Sequence, residues 1–235
     1  MLNVNKLSKL LYNIGRCNTA LDRKFMDFIK KPMEIENRSM EIIAPYLKNL
    51  NLSEEEVKVY SRMIHAAGDV EYAPIIKIHP QAISAAKAAI NGGCNIYTDV
   101  EMVRTGINKR ILAKFGGEVF CKVADEEVKR LAESEGITRS MAAMRTFGEN
   151  LNGAVVAIGN APTALFELLR LVRENHIKPA VIVGIPVGFV GAADSKKALA
   201  EQIQIPYITV EGTKGGSPIA VAAINAIIYM LNNSR

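Results

Sequence analysis

The chain has 235 residues, of which 49% are hydrophobic and 23% are charged, and its formal net charge is +5. This composition is typical of a folded protein and excludes an intrinsically disordered chain. The length suits one large domain or two small ones. No apolar run approaches the roughly 20 residues that span a bilayer, and no signal peptide is recognisable, so we expect neither membrane insertion nor secretion.

The net charge is concentrated at the N-terminus. Residues 1–31 contain seven basic and two acidic residues, while residues 32–235 contain 22 of each. Because the excess does not form a basic stripe across a folded body, we expect no nucleic-acid partner. Leucines and Ile14 at helical spacing predict an amphipathic helix that docks on the domain or on a partner subunit, with surface or membrane contact as the alternative. We therefore predict a basic helical extension, residues 1–31, and a single α/β domain, residues 32–235.

From residue 35 onward, short β-rich runs alternate with longer helical stretches. This pattern predicts one three-layer α/β/α domain with a parallel sheet covered on both faces. The helix at 54–67 should begin with a capping box of Ser53 and Glu56 and end at Gly68. The helix at 217–231 is apolar nearly all round and should be buried, a subunit interface being one option. The predicted strands are 75–78, 95–97, 118–123, 154–158, 180–185 and 207–210; the other predicted helices are 36–49, 80–91, 99–105, 125–135, 162–175 and 193–203.

Three loops that leave strands and enter helices are rich in glycine and small polar residues. In an open parallel sheet such loops lie at the carboxyl edge, where ligands bind. Helix N-termini expose unpaired N–H groups and a partial positive charge, so three of them together would suit an anionic substrate. For any single loop, the alternative to ligand binding is that the glycines and small polar residues only form the turn between strand and helix. The loops are 158–163, 184–191 and 211–218.

No motif in the chain indicates a resident cofactor. The glycine-rich loops have neither the P-loop spacing nor the dinucleotide-binding spacing, so we expect no nucleotide. The three histidines are far apart in sequence and none has a second ligand at a typical spacing, so we expect no metal. Three scattered cysteines, Cys17, Cys94 and Cys121, fit neither a disulfide framework nor a zinc site. Their number favours a reducing, cytoplasmic setting.

His65 is the candidate catalytic residue on chemical grounds. It lies near the end of the predicted helix 54–67, beside small residues that leave its ring accessible. The negative end of the helix dipole and Asp69 both favour the imidazolium, which would donate a proton near neutral pH. The alternative is a histidine that only caps backbone carbonyls.

Arg139 is a candidate ligand for a carboxylate. It lies between Thr138 and Ser140 where a helix is expected to begin, and an arginine fork beside free N–H groups can bind a carboxylate in bidentate fashion. A solvated arginine that pairs with a nearby acid is the alternative. Asp99 follows the strand at 95–97, and by chemistry alone it is expected to be the N-cap of the next helix.

Several separate segments resemble, together and in this order, those of one family. They are Arg38-Ser39, Met63-Ile64-His65, Thr98-Asp99 with Met102-Val103, Thr138-Arg139-Ser140, Gly159-Asn160-Ala161-Pro162-Thr163-Ala164-Leu165, Pro186-Val187-Gly188-Phe189-Val190-Gly191-Ala192-Ala193 with Ser195-Lys196, and Gly215-Gly216-Ser217. Over about residues 33–235 the chain is similar to the precorrin-8X methylmutases, which include the cobalt-precorrin-8 enzymes of vitamin B12 biosynthesis.

This resemblance implies a flavodoxin-like subunit that works as a homodimer without an organic cofactor. It implies an isomerase that moves a methyl group of a corrin precursor from carbon 11 to carbon 12. His65 would protonate or hydrogen-bond the macrocycle, whose acetate and propionate arms suit a site of helix N-termini and an arginine. The predicted substrate-binding residues are Arg38, Ser39, Thr98, Asp99, Arg139, Ser140, Asn160, Thr163, Gly188, Gly216 and Ser217.

Two other functions stay open on the residues alone. A non-catalytic corrinoid carrier would use the same loops to hold the macrocycle without chemistry. A nucleotide or flavin binder is suggested only by analogy with the fold. For a methylmutase, the sequence leaves open whether the substrate carries cobalt, because the reaction takes place at the ring periphery.

Overall fold

The computed structural model describes residues 28–202 and 204–233. The amphipathic helix predicted near the N-terminus lies outside these residues. The strands are Ile76–Ile78 (β1), Ile96–Thr98 (β2), Val119–Cys121 (β3), Val155–Ile158 (β4), Val181–Gly184 (β5) and Tyr207–Val210 (β6). The helices are Pro32–Leu47 (α1), Glu54–Ala67 (α2), Ala82–Asn91 (α3), Glu101–Gly106 (α4), Lys109–Leu112 (α5), Glu126–Glu135 (α6), Arg139–Phe147 (α7), Pro162–Glu174 (α8), Ala192–Glu201 (α9) and Ser217–Asn233 (α10).

The chain forms two compact units, Met1–Ile42 and Ile43–Arg235. The division falls within α1. Of the first unit, the structure describes residues 28–42, which include the exposed first turns of α1. The second unit contains the sheet and all the other helices named above. The separate extension at residues 1–31 stays a prediction.

The six strands form one sheet in the order β1-β6-β5-β4-β2-β3. The pairs from β6 to β3 are parallel, whereas β1 pairs antiparallel with β6. The predicted α/β fold with a mainly parallel sheet is confirmed. The antiparallel direction of β1 could not be predicted, because a short run of apolar residues predicts a strand but not its direction.

Two groups of helices cover the sheet. Helices α6, α7, α8 and α9 pack side by side, and so do α2, α3, α4 and α10. Val156 and Ile158 of β4 belong to the apolar cluster beneath α7 and α8. Val155 and Ala157 alternate with them and are equally buried, so they point to the opposite face. Burial on both faces explains why the central strands are continuous apolar runs.

The ends of α2 follow the sequence prediction closely. Ser53 Oγ accepts from the backbone N–H of Glu56, and the Glu56 side chain accepts from the backbone N–H of Ser53. Gly68 ends the helix in the left-handed conformation, with φ of 62°. Both the capping box and the glycine stop are therefore confirmed, and together they set where the last turn of α2 lies.

The predicted burial of the C-terminal helix is also confirmed. Helix α10 packs against α2, α3 and α4 and against strands β4 and β5. Contacts within the chain therefore account for its apolar surface. In the two described stretches of chain, no helix is both long and apolar enough to cross a membrane.

Candidate active site

Backbone contacts join the loops after β5 and β6 at the carboxyl edge of the sheet. Gly216 N–H donates to the carbonyl of Ile185 at 2.9 Å, and Gly188 N–H donates to the carbonyl of Thr213 at 3.2 Å. A Cβ on Gly215 would lie 2.6 Å from the carbonyl oxygen of Pro186, so only glycine fits there. The structure thus brings together two of the three predicted glycine-rich loops.

The loop after β4 lies against the start of α10. A Cβ on Gly159 would lie 2.8 Å from the Cα of Ser217 and 2.6 Å from a methyl group of Val103. This close approach joins the third glycine-rich loop to the other two. Asn160 is exposed, Thr163 is half-buried, and Gly216 and Ser217 are buried at the joint.

Asp99 organises the loop after β4 and is completely buried. Its two carboxylate oxygens accept from the backbone N–H groups of Gly159, Asn160 and Ala161 at 2.9, 2.9 and 2.7 Å. Burial raises the pKa of Asp99 above its ordinary value, and these N–H groups act against the rise. The protein therefore places its own carboxyl group where an anionic ligand is expected at the start of α8.

The expectation that Asp99 caps the helix after β2 is wrong. The residue at the N-cap of α4 is Val100, and no side chain caps that helix. Asp99 instead reaches across to the neighbouring loop, because parallel strands β2 and β4 end side by side. Thr98 is buried as well, and its hydroxyl donates to the carbonyl of Phe120 at 3.0 Å. Both side chains already have protein partners.

His65 lies in the last turn of α2 with its side chain exposed. The chain continues through Gly68 to Asp69, which contacts the loop after β6. Asp69 was expected to favour the imidazolium of His65. The carboxylate of Asp69 pairs with Lys214 Nζ at 2.7 Å and accepts from the N–H of Glu71 at 2.9 Å. These bonds hold the pKa of Asp69 below its usual value, with Lys214 as the main cause. The effect of Asp69 on His65 stays a prediction.

Arg139 is the first residue of α7 and is exposed. It lines a cavity of about 330 Å³ between α6 and α7, together with Lys129 and Glu133. The preceding residue, Thr138, caps α7, and its hydroxyl lies 2.9 Å from that of Thr163 in α8. The helix start predicted at Arg139 is thus confirmed, and this bond links it to the loop after β4. Ser140 is buried.

Arg38 and Ser39 lie on α1 in the first compact unit. Arg38 pairs with Glu41 at 2.9 Å, and the hydroxyl of Ser39 donates to the carbonyl of Ile35 at 2.8 Å. Arg38 is exposed and Ser39 is half-buried. Their contact with substrate stays a prediction.

Two lysines at this edge were not predicted as site residues. Lys214 pairs with two acidic residues after α2, and Lys196 of α9 is only 2% exposed. Neither environment is visible in the sequence, because a lysine in an amphipathic helix or a polar loop is usually solvated. Among the residues that the structure describes, no three His, Cys, Asp or Glu side chains are close enough to hold a metal ion.

Comparison with known proteins connects this geometry to one family. Residues 34–230 match the sequence model of the family described as precorrin-8X methylmutase. The cobalt-precorrin-8 methylmutase of Priestia megaterium is 41% identical over 210 residues, which are 89% of this chain and 93% of that protein. The precorrin-8X methylmutase of a Sinorhizobium species is 45% identical over 202 residues, 86% of this chain and 96% of that protein.

A solved structure agrees with the sequence comparisons. The precorrin-8X methylmutase of Thermus thermophilus is 37% identical and superposes with a TM-score of 0.76, covering 85% of this chain and 98% of that one. The fold and the sequence therefore support the same family assignment over nearly the whole length of these relatives. The chain belongs to the precorrin-8X methylmutase family, and it is an isomerase of vitamin B12 biosynthesis.

Proposed function

We propose that this chain moves a methyl group from carbon 11 to carbon 12 of precorrin-8X or cobalt-precorrin-8, giving hydrogenobyrinate or cobyrinate, with His65 as the acid. The observation that carries this proposal is the position of His65. His65 lies in the last turn of α2 with its side chain exposed. Asp69, in the segment that follows, forms an ion pair with Lys214 in a loop at the carboxyl edge of the sheet. Ligands of open α/β sheets bind at that edge.

In this mechanism His65 donates a proton or a hydrogen bond to the macrocycle. Positive charge developed on the conjugated ring makes the bond between carbon 11 and its methyl group easier to break. The methyl group then joins carbon 12, and the proton returns to His65 or to water. Substrate and product have the same composition, so the protein supplies a proton site and orientation, and no oxidant or reductant is needed.

Arg139 is proposed to bind one carboxylate arm of the substrate. A cavity of about 330 Å³ is at the small end of ligand pockets, so it suits an arm and not a tetrapyrrole ring. Lys129 adds a second positive charge on its lining. Ser140, Arg38 and Ser39 are proposed as further polar contacts. Thr98 and Asp99 are buried and already bonded. The proposed role of Asp99 is to shape the loop that holds Asn160 and leads to Thr163, and that of Thr98 is to fix the end of β2 through its bond to Phe120.

The loop after β5 offers an apolar surface for the ring itself. Phe189 is 96% exposed and Val190 is 89% exposed. Gly188 holds this loop against Thr213 of the neighbouring loop. An aromatic ring and a methyl-bearing side chain suit the flat apolar face of a macrocycle, while the carboxylate arms meet the polar groups around it.

A non-catalytic carrier would bind the same macrocycle, so the first experiment must separate binding from conversion. The purified protein is incubated with precorrin-8X and, separately, with its cobalt form, while the visible spectrum is recorded. The product is identified by mass and chromatography. Conversion at unchanged mass supports the mutase and shows which form is the substrate. Binding of either form without conversion would contradict it and favour the carrier.

Replacing His65 tests its role directly. We expect His65→Ala to abolish turnover and to leave corrinoid binding largely intact, because the imidazole is proposed to act on the reacting ring and not to hold its arms. Steady-state kinetics and spectroscopic titration measure the two effects. His79→Ala is the control, since His79 directly follows β1 and its ring packs 5.7 Å from that of Tyr207. Wild-type turnover by His65→Ala would remove His65 from the mechanism.

We also propose that the protein is a cytoplasmic homodimer. The support is the likeness to the family, together with the scattered cysteines. Light scattering coupled to size-exclusion chromatography gives the mass in solution. A mass near twice 25.6 kDa is expected, and a mass of one chain would contradict the dimer.

A further inference from the structure

Lys196 is a buried lysine that the proposed mechanism does not use. It lies in α9 and is 2% exposed. Its Nζ donates a hydrogen bond to the backbone carbonyl of Lys214, in the loop after β6. Burial lowers the pKa of Lys196 to about 8. An ammonium in such a place costs stability that a methionine of similar length would not cost.

The side chain of Lys214 continues the link from this loop to the segment after α2. Its Nζ pairs with Asp69 at 2.7 Å and with Glu71 at 2.9 Å, and it lies 5.5 Å from the centre of the Tyr72 ring. The hydroxyl of Tyr72 donates to the carbonyl of Gly215 at 3.5 Å. The segment from Asp69 to Tyr72 is therefore attached to the loop at several points.

This segment begins directly after the last turn of α2. Gly68 donates its N–H to the carbonyl of His65 at 3.2 Å and is followed at once by Asp69. This hydrogen bond closes the turn that joins His65 to Asp69. The chain of contacts runs from Lys196 through the backbone and side chain of Lys214 to Asp69 and His65.

We propose that Lys196 and Lys214 are positioning residues for His65: Lys196 holds the loop after β6, and Lys214 holds the end of α2 against that loop. The proposal rests on the proposed function of His65 as the acid. Neither lysine has to touch the reacting carbons. A displacement of the imidazole by about 1 Å is enough to cost on the order of a hundredfold in rate, so small losses of contact have a large effect on turnover.

The test compares Lys196→Met and Lys214→Met with Lys197→Met in the full-length protein. Lys197 is the matched control, because it lies next to Lys196 on α9 with a side chain that is 75% exposed. For both site variants we expect kcat to fall by about ten- to a hundredfold, with corrinoid affinity unchanged. Lys214→Arg should recover part of kcat, because a guanidinium can still bridge Asp69 and Glu71.

The melting temperature separates positioning from a merely structural role. Lys196→Met removes a buried charge, so its melting temperature should be equal to or above that of the wild type. A stable variant with a low kcat and unchanged affinity supports the proposal. Wild-type kcat in both methionine variants would overturn it, and so would a loss of kcat that only follows a loss of folded protein. The wild-type reaction, run in parallel, tests the proposed function separately.

Discussion

Among single residues, Asp99 makes the clearest prediction. Three backbone N–H groups of the loop after β4 donate to its carboxylate, and the side chain is completely buried. An amide at this position has one accepting oxygen, and its NH₂ group would face an N–H donor. We expect Asp99→Asn to lower the free energy of unfolding by roughly 3 kcal/mol, measured by urea denaturation. Turnover should fall too, because Asn160 lies in this loop and Thr163 follows it in the first turn of α8.

The control for this variant is Asp125→Asn. Asp125 is exposed, lies at the N-cap of α6 and makes no capping bond with its side chain. Its replacement should change the free energy of unfolding by less than about 0.5 kcal/mol. Equal effects of the two substitutions would show that the bonds of Asp99 to the loop contribute little.

Lys196 makes a prediction about pH. Its pKa in the folded protein is about 8, against the usual 10.5 for an unfolded chain. Between these values the unfolded state binds more protons, so the contribution of Lys196 to stability rises with pH. We expect the free energy of unfolding of Lys196→Met to exceed that of the wild type most near pH 7, and this difference to disappear toward pH 10. Urea denaturation of both proteins across this range measures it.

The comparison between the two proteins is essential, because other groups titrate in the same range. Burial raises the pKa of Cys121 to about 11, which makes stability fall as pH rises above the usual thiol value of 9.0. The difference between wild type and variant cancels that effect. A difference that does not change with pH would contradict the lowered pKa of Lys196.

Among elements, the pair α7 and α8 depends on one buried acid. Glu167 of α8 is 2% exposed and pairs with Arg145 of α7 at 2.7 Å and with Arg170 at 2.6 Å. Burial raises the pKa of Glu167, but the two arginines outweigh it and hold the pKa below the usual 4.5. We expect Glu167→Gln to lower the free energy of unfolding by roughly 2–4 kcal/mol, as measured by urea denaturation at pH 7.

The same helix offers a matched control. Glu174 of α8 pairs with Arg170 at 2.9 Å, but its side chain is 46% exposed. Glu174→Gln should therefore cost less than about 1 kcal/mol. The difference between the two variants should shrink as pH falls, because a depressed carboxyl pKa contributes stability that is lost on protonation. Similar costs at pH 7 would show that burial of Glu167 adds nothing.

Elements were predicted from the sequence better than the bonds between them. The caps of α2, the strands of the sheet and the glycine-rich loops follow from local patterns, which is why Ser53 and Gly68 could be assigned in advance. The hydrogen-bond partners of Asp99 could not be assigned in advance, because they depend on which strand lies beside β2. The direction of β1 and the contacts of Lys196 and Lys214 depend in the same way on pairings between distant segments. The roles of the predicted site residues stay predictions.

For the whole molecule, the open question is what residues 1–31 contribute. The family match begins at residue 34, and residues 1–31 hold the entire net charge of +5. A chain that begins at residue 32 keeps α1 with Arg38 and Ser39. We expect it to retain the kcat and KM of the full chain and to have an isoelectric point well below 9.0. Steady-state kinetics and isoelectric focusing measure both.

The comparison variant for this truncation is Arg38→Ala with Ser39→Ala in the full chain. If these residues bind an arm of the substrate, KM should rise by about tenfold or more, because a charged hydrogen-bonding group is lost. A truncated chain with normal kinetics beside a double variant with raised KM would assign the binding role to α1 and none to residues 1–31. A truncated chain that loses turnover while it stays folded would instead make the basic extension part of the working enzyme.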